Sequence, residues 1–169
     1  MITESRTYPE HTAHTIMKYT STMPKELGLF IRRFTETLIN KNTENQSKFE
    51  LLELGRKLKN YIRYTLDYYG IETLKNPLGI IEDLTKYGYL IGDCDDITLF
   101  GNLCLSSIGY RVGCKIIEQC NEGYFSHIYS IVELDGRILP FDLCSQKEVL
   151  NEPIDERDIT DYKIFIFKR

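Results

Sequence analysis

Three side chains in the second half of the chain could together carry out nucleophilic chemistry. Cys94 follows Gly92-Asp93 at the predicted start of an apolar helix. Unpaired backbone N–H groups and the helix dipole at such a position favour a thiolate over a thiol. The backbone N–H of Cys94 would also be placed to donate to the oxyanion of a tetrahedral intermediate. This position is typical of a cysteine nucleophile in acyl transfer.

His127 and Asp142 are expected to meet through a predicted β-hairpin. Two β-rich runs flank the tight turn Asp135-Gly136, and counting back from that turn leaves Asp142 near Tyr129, two residues from His127. A side chain can cover that offset. An imidazole that is oriented by a carboxylate and faces a thiolate is the arrangement that acyl transfer requires.

Helices are predicted for most of the first half of the chain. Apolar residues at spacings of three and four indicate one helix from Lys25 to Leu38 and a longer one from about Ser47 to Tyr69, with Gly70 as its C-cap. Asn76-Pro77 marks the start of a short third helix. Residues 93–107 are apolar almost all round, which predicts a helix buried in the middle of a domain.

Strands are predicted for the second half. The β-rich runs are residues 110–119, 124–134, 137–141 and 162–167, and the hairpin count places Ser130 opposite Phe141. Helices followed by an antiparallel sheet indicate the α+β class. We expect a single domain over residues 25–169, preceded by an extended N-terminal arm over residues 1–24, which contain two prolines and no sustained apolar period.

Composition excludes several classes of protein. The 169 residues are 42% hydrophobic and 27% charged, which suits a globular domain, and the net charge of −4 gives no reason to bind nucleic acid or an anionic membrane. No segment reaches the roughly 18 to 20 apolar residues of a membrane helix or resembles a signal peptide, so we expect a cytoplasmic location. Five cysteines without a CxxC pair argue against a disulfide framework and a cysteine-rich zinc module.

Each candidate side chain also has a structural interpretation. Cys94 could pack as a small apolar residue, and His127 could be a core histidine with a satisfied hydrogen bond. The other four cysteines are interpreted as structural. Three carboxylates, Asp93, Asp95 and Asp96, could bind a divalent cation, but we interpret them as caps of the helix start and predict no metal or other cofactor. Their charge would oppose a thiolate at Cys94.

The strings GDCDDITLFGNLCLSSIGYRVGCKII and FSHIYSIVELDGRILPFDLC resemble the transglutaminase-like cysteine peptidase superfamily, whose architecture is related to that of papain. The resemblance covers roughly residues 77–145. It implies a helix carrying the cysteine packed on an antiparallel sheet. It also implies Cys94 as nucleophile, His127 as general base and acid, and Asp142 as the orienting carboxylate.

The second oxyanion donor does not follow from the resemblance. Many relatives have a tryptophan near the site, and this chain has none. Tyr87 and Tyr89 are therefore candidates to donate beside the backbone N–H of Cys94.

The resemblance implies cysteine-dependent acyl transfer or hydrolysis at peptide or amide bonds, with a protein or peptide substrate and no cofactor. It leaves hydrolysis, amide exchange and deamidation open, since all begin from the same thioester. Similar small chains with the GDCDD string are common in tailed-bacteriophage genomes. The alternative is therefore a structural or assembly component of a phage virion that keeps the fold with weak or no activity. Such a protein would contact other virion proteins through residues 1–24, in the host cytoplasm or in the particle.

Overall fold

The computed structural model describes residues 8–39, 46–67 and 73–166. The helices in these ranges are α1 (Tyr8–Ser21), α2 (Lys25–Leu38), α3 (Lys48–Leu58), α4 (Pro77–Tyr87) and α5 (Cys94–Ser107). The strands are β1 (Ile62–Tyr64), β2 (Leu90–Gly92), β3 (Arg111–Gln119), β4 (Phe125–Leu134), β5 (Arg137–Phe141) and β6 (Ile159–Ile166). The fold is α+β, as predicted. None of the helices in the described ranges has the length and apolar character needed to span a bilayer.

The main sheet is antiparallel and has the strand order β5-β4-β3-β6. The turn Asp135-Gly136 joins β4 to β5, and both turn residues have positive φ, which aspartate and glycine tolerate. This turn sets the register of the hairpin, and Ser130 pairs with Phe141 as predicted. The hairpin therefore ends with Asp142 directly after β5.

Helix α5 is the central element of the domain. Every residue from Asp95 to Leu105 is buried, which confirms the predicted buried helix. The helix packs against α1 and α2 and against β4. It approaches β4 closely at Gly101, where an added Cβ would lie 2.9 Å from the Ser130 hydroxyl oxygen. The absence of a side chain at Gly101 thus allows α5 to lie directly on the sheet.

The predicted extended arm is wrong for residues 8–21, which form α1. Ala13 and Ile16 are fully buried, and α1 packs on α5 and β3. The Met17 sulfur lies 3.8 Å from the Cys114 sulfur of β3. The short apolar face of Ala13, Ile16 and Met17 gives a weak signal in the sequence because threonines and histidines surround it, and Pro9 lies in the first turn, where proline is tolerated. Residues 1–7 of the arm lie outside the described ranges.

The predicted long helix is also wrong in its second half. Helix α3 ends at Leu58, and after a single 3-10 turn the chain forms β1, which pairs in parallel with β2 so that Tyr64 lies opposite Gly92. Residues 61–65 are mostly aromatic or β-branched, and their pairing with β2 overrides the helical spacing. The predicted helix end at residues 69–70 lies outside the described ranges.

Candidate active site

Cys94 is the first residue of α5 and is partly exposed. The chain reaches it from β2, which ends at Gly92, and Asp93 occupies the N-cap position in an extended conformation. The first N–H groups of a helix have no partner within the helix, so this end of α5 can bind and stabilise negative charge. The predicted placement of Cys94 at a helix start is therefore confirmed.

His127 and Asp142 are joined by a direct hydrogen bond. The distance from His127 Nε2 to Asp142 Oδ2 is 2.8 Å, and the Asp142 side chain is 1% exposed. Burial raises the pKa of Asp142, but the bond and charge of His127 and the backbone N–H groups of Cys144 and Ser145 outweigh it and hold that pKa below its usual value. Asp142 is therefore a carboxylate that fixes Nε2 and leaves Nδ1 as the ring nitrogen that can exchange a proton.

The first turns of α5 lie against the part of β4 that carries His127. The pairing of β4 with β5 stops at Ser130, and the Thr98 hydroxyl of α5 lies 3.1 Å from the Ile128 carbonyl oxygen beyond that point. The same hydroxyl lies 2.6 Å from the carbonyl oxygen of Cys94, one turn earlier in the helix. Before Ser130, the edge of β4 therefore has no β5 partner, and the start of α5 lies along this edge. His127 belongs to the same part of β4.

Electrostatic interactions connect Cys94 to the loop that follows Asp142. Burial, the Asp142 carboxylate and the charge of Cys94 together raise the pKa of Cys144 far above that of a free thiol. Cys144 also donates its backbone N–H to Asp142 Oδ1 at 2.7 Å. The sequence pattern predicts only a structural cysteine at this position, whereas in the structure Cys144 is hydrogen-bonded to Asp142 and interacts electrostatically with Cys94.

Tyr64 is a side chain of the site that the sequence pattern misses. Tyr64 is 54% exposed as a whole residue, yet partial burial of its phenol, followed by the charges of Cys94 and Cys144, raises its pKa well above the usual value. The phenol is therefore a hydrogen-bond donor at neutral pH. The sequence pattern places Tyr64 within the predicted long helix, whereas the pairing of β1 with β2 brings it opposite Gly92.

Of the predicted oxyanion candidates, Tyr87 is the last residue of α4 and Tyr89 lies in the turn between α4 and β2. Their ring centres are 6.3 Å apart, and the Arg63 guanidinium carbon is 4.9 Å from the ring centre of Tyr89. These contacts form an aromatic and cationic surface on β1 and α4. Tyr64 is the tyrosine whose phenol interacts with the charge of Cys94.

Three buried carboxyl groups surround the start of α5. Asp93, Asp95 and Asp96 each offer one oxygen within 4.8 Å of the others, and in the described part of the chain no other group of His, Cys, Asp or Glu is arranged to hold a metal ion. Asp96 Oδ1 accepts the backbone N–H of Lys75 at 2.7 Å, and its Oδ2 lies 3.3 Å from Lys75 Nζ. Although Asp93 is the N-cap residue, its side chain makes no capping hydrogen bond, contrary to the predicted role.

Burial changes the charge of this cluster. It raises the pKa of Asp96 to about 6, against the opposing effect of Lys75. Burial and a hydrogen bond with the Asp93 carboxyl raise the pKa of Asp95 much further above its ordinary value. Asp95 is therefore protonated at neutral pH. A neutral Asp95 weakens the repulsion that the sequence pattern predicts between this cluster and a thiolate at Cys94.

Lys59 anchors the loop that supplies Asp142 with its N–H donors. Lys59 Nζ donates to the carbonyl oxygens of Ser145 at 2.5 Å and Lys147 at 2.7 Å, and burial lowers the pKa of its ammonium. We expect Lys59→Met to reduce the free energy of unfolding by about 1–2 kcal/mol, because two carbonyl groups lose a charged donor. Urea denaturation measures the change. Lys48→Met, at an exposed position of α3, is the matched control, and an equal result for both variants would contradict the anchoring role.

Comparisons with known proteins identify relatives by fold only. No family model and no curated protein sequence matches the chain. A proposed protease from Parabacteroides distasonis is similar in structure, with a TM-score of 0.56 and 12% identity over 76% of this chain and 25% of that one. A proposed cysteine protease from Cytophaga hutchinsonii has a TM-score of 0.52 and 14% identity over 89% of this chain and 51% of that one. The chain thus spans a quarter of the first protein and half of the second, and it shares their fold.

Proposed function

We propose that the protein is a cysteine-dependent acyl-transfer enzyme that acts on peptide or amide bonds, with Cys94, His127 and Asp142 as its catalytic residues. The observation that carries this proposal is the 2.8 Å hydrogen bond between His127 and Asp142 beside the helix end that begins with Cys94. A nucleophile at a helix start, an imidazole and an orienting carboxylate together supply what such a reaction needs.

Catalysis proceeds through a thioester. His127 Nδ1 accepts the thiol proton, and the Cys94 sulfur attacks the substrate carbonyl carbon, so that a C–S bond forms and the carbonyl electrons move onto oxygen. When the carbonyl re-forms, the C–N bond breaks and the imidazolium gives its proton to the leaving amine. Water or a second amine then attacks the thioester, His127 takes its proton, and the Cys94 thiolate leaves. Asp142 stays ionised throughout and holds Nε2.

The oxyanion of each tetrahedral intermediate is stabilised by two donors. One is the backbone N–H of Cys94, at the positive end of α5. The other is the hydroxyl of Tyr64, which replaces Tyr87 and Tyr89 as the candidate because its phenol interacts with the charge of Cys94 and stays protonated at neutral pH. A neutral phenol is a suitable donor to developing negative charge.

A protein or peptide substrate is favoured by the fold. The two solved structures described above are of proposed proteases. The alternative, a structural component of a phage virion, relied on a free N-terminal arm that contacts other chains. The packing of α1 on α5 and β3, with Ala13 and Ile16 fully buried, counts against that use of residues 8–21.

Selective alkylation tests the proposed nucleophile. At pH 7 we expect iodoacetamide to label Cys94 at least about tenfold faster than Cys120, because a helix terminus and an imidazolium increase the thiolate fraction. Cys120 is the matched control, since it is exposed whereas Cys94 is only partly so. Burial raises the pKa of Cys104 and Cys114 to about 12, so both should stay unlabelled.

The labelling is measured by peptide mass spectrometry over a time course. In concentrated urea all the thiols should react at similar rates, which establishes that the preference depends on the fold. Faster labelling of Cys120 than of Cys94 in the folded protein would contradict the proposed function.

A further inference from the structure

We propose that Tyr129 is a positioning residue for His127, on whose ring its own ring is stacked; this inference rests on the proposed function. Tyr129 lies two residues beyond His127 on β4, so both side chains point to the same face. Their ring centres are 5.6 Å apart and their planes differ by 25°, which is a stacked arrangement. The imidazole is therefore in contact with two partners, Asp142 at its Nε2 edge and Tyr129 at its flat face.

Tyr129 is itself held rigidly. Its side chain is 1% exposed, and its hydroxyl donates to Glu152 Oε2. Lys115 Nζ lies 2.7 Å from Glu152 Oε1 and 5.7 Å from the ring centre of Tyr129. An aromatic ring with a buried, bonded hydroxyl has little freedom to rotate, so it offers His127 a fixed surface.

The two contacts of His127 restrain different motions. The torsion that turns an imidazole about its Cβ–Cγ bond has broad, weakly defined minima. The hydrogen bond to Asp142 fixes the position of Nε2, but the ring could still swing about that bond and redirect Nδ1. The stacked face of Tyr129 opposes this swing. Together the contacts hold in one direction the nitrogen that accepts the Cys94 proton.

Tyr129 acts through His127 and not on the substrate. Its ring belongs to a small apolar cluster with Ile117 and Ile131, whereas Ile128 and Val132 on the other face of β4 belong to the main core with α5. A change at Tyr129 therefore leaves the core packing of α5, which carries Cys94, in place. Because the two clusters are separate, a change in Cys94 reactivity in a Tyr129 variant reports on the position of His127.

The test is the pH dependence of Cys94 alkylation by iodoacetamide in Tyr129→Leu and Tyr129→Phe. Leucine removes the stacked ring, and we expect the midpoint of the Cys94 profile to rise by about one unit, a tenfold lower rate at pH 6, because a swinging imidazolium no longer stabilises the thiolate. Phenylalanine keeps the stacked ring but loses the hydrogen bond to Glu152. We therefore expect the midpoint of the Cys94 profile to rise by less in Tyr129→Phe, with an alkylation rate about threefold lower than the parent's at pH 6.

Ile131→Ala is the matched control, because it opens the same apolar cluster without touching His127. It should lower the free energy of unfolding and leave the Cys94 profile unchanged. A folded Tyr129→Leu protein with the parent profile would overturn the proposal. If Tyr129→Leu does not fold, Tyr129→Phe decides, and a profile identical to the parent's overturns it.

Failure of this inference can be told apart from failure of the proposed function. If the proposed function is wrong, the alkylation profile of Cys94 in the parent protein resembles that of Cys120, and the Cys94 profile of every variant is the same. If only the inference fails, the parent keeps a low Cys94 midpoint and the Tyr129 variants share it.

Discussion

Replacing His127 with alanine is expected to slow acylation of Cys94 by p-nitrophenyl acetate by about a hundredfold or more, as loss of a general base does. Without the imidazole, the thiol proton has no positioned acceptor, and the thiolate loses its cationic partner. The 2.8 Å hydrogen bond from His127 Nε2 to the Asp142 carboxylate indicates that the imidazole is already oriented in the free protein, so the substitution removes a preorganised base.

The acylation rate is measured from the initial release of p-nitrophenolate and from an acetyl group located on Cys94 by mass spectrometry. Cys94→Ala supplies the background caused by other nucleophiles. His14→Ala is the matched control, since His14 is an exposed histidine of α1 that contacts Phe165 far along the chain. Acylation of His127→Ala at close to the parent rate would remove His127 from the mechanism.

Asp95→Asn is expected to stabilise the protein at neutral pH, in contrast to most substitutions of buried residues. Burial raises the pKa of Asp95, so the folded state retains a proton that the unfolded chain releases above its pKa of about 3.9. Stability from this group is therefore greatest in acid and falls as the pH rises from the unfolded pKa toward the folded one. Asparagine has no carboxyl group to ionise, so the unfolded chain is not favoured in this way as the pH rises. We therefore expect Asp95→Asn to raise the free energy of unfolding by on the order of 2–3 kcal/mol at pH 7.

The geometry permits asparagine to imitate the protonated acid. Its amide oxygen can accept the Asp96 N–H that Asp95 Oδ1 accepts at 2.6 Å, and its amide group can donate to Asp93. Urea denaturation at pH 4 and pH 7 checks this, with little gain expected at the lower pH. Glu122→Gln, an exposed carboxylate, should show no such difference between the two pH values. A less stable Asp95→Asn protein at pH 7 would contradict a neutral Asp95.

The parts of the site that depend on local signals could be predicted from the sequence. The Asp135-Gly136 turn determines the hairpin register, and the register determines that Asp142 meets His127. The apolar run after Cys94 likewise predicts the buried helix that starts at this residue. Both inferences needed only one turn type and one periodicity.

The parts that depend on distant pairing could not be predicted. Tyr64 becomes part of the site because β1 pairs with β2, although its own segment has helical spacing. Helix α1 forms because α5 and β3 cover its short apolar face, and a segment of this composition alone gives no helical signal. The proton on Asp95 likewise follows from burial among neighbours, a property that composition does not reveal.

The most direct measurement is the thiolate absorbance of Cys94, titrated as the difference between the parent protein and Cys94→Ala, and repeated in a His127→Ala background. If the sulfur and the imidazole form an ion pair, the difference spectrum shows a thiolate well below pH 7, and the transition moves toward the free-thiol value of about 8.5 when His127 is removed. A Cys94 thiolate that forms at the same pH with and without His127 would show that the two side chains do not act together.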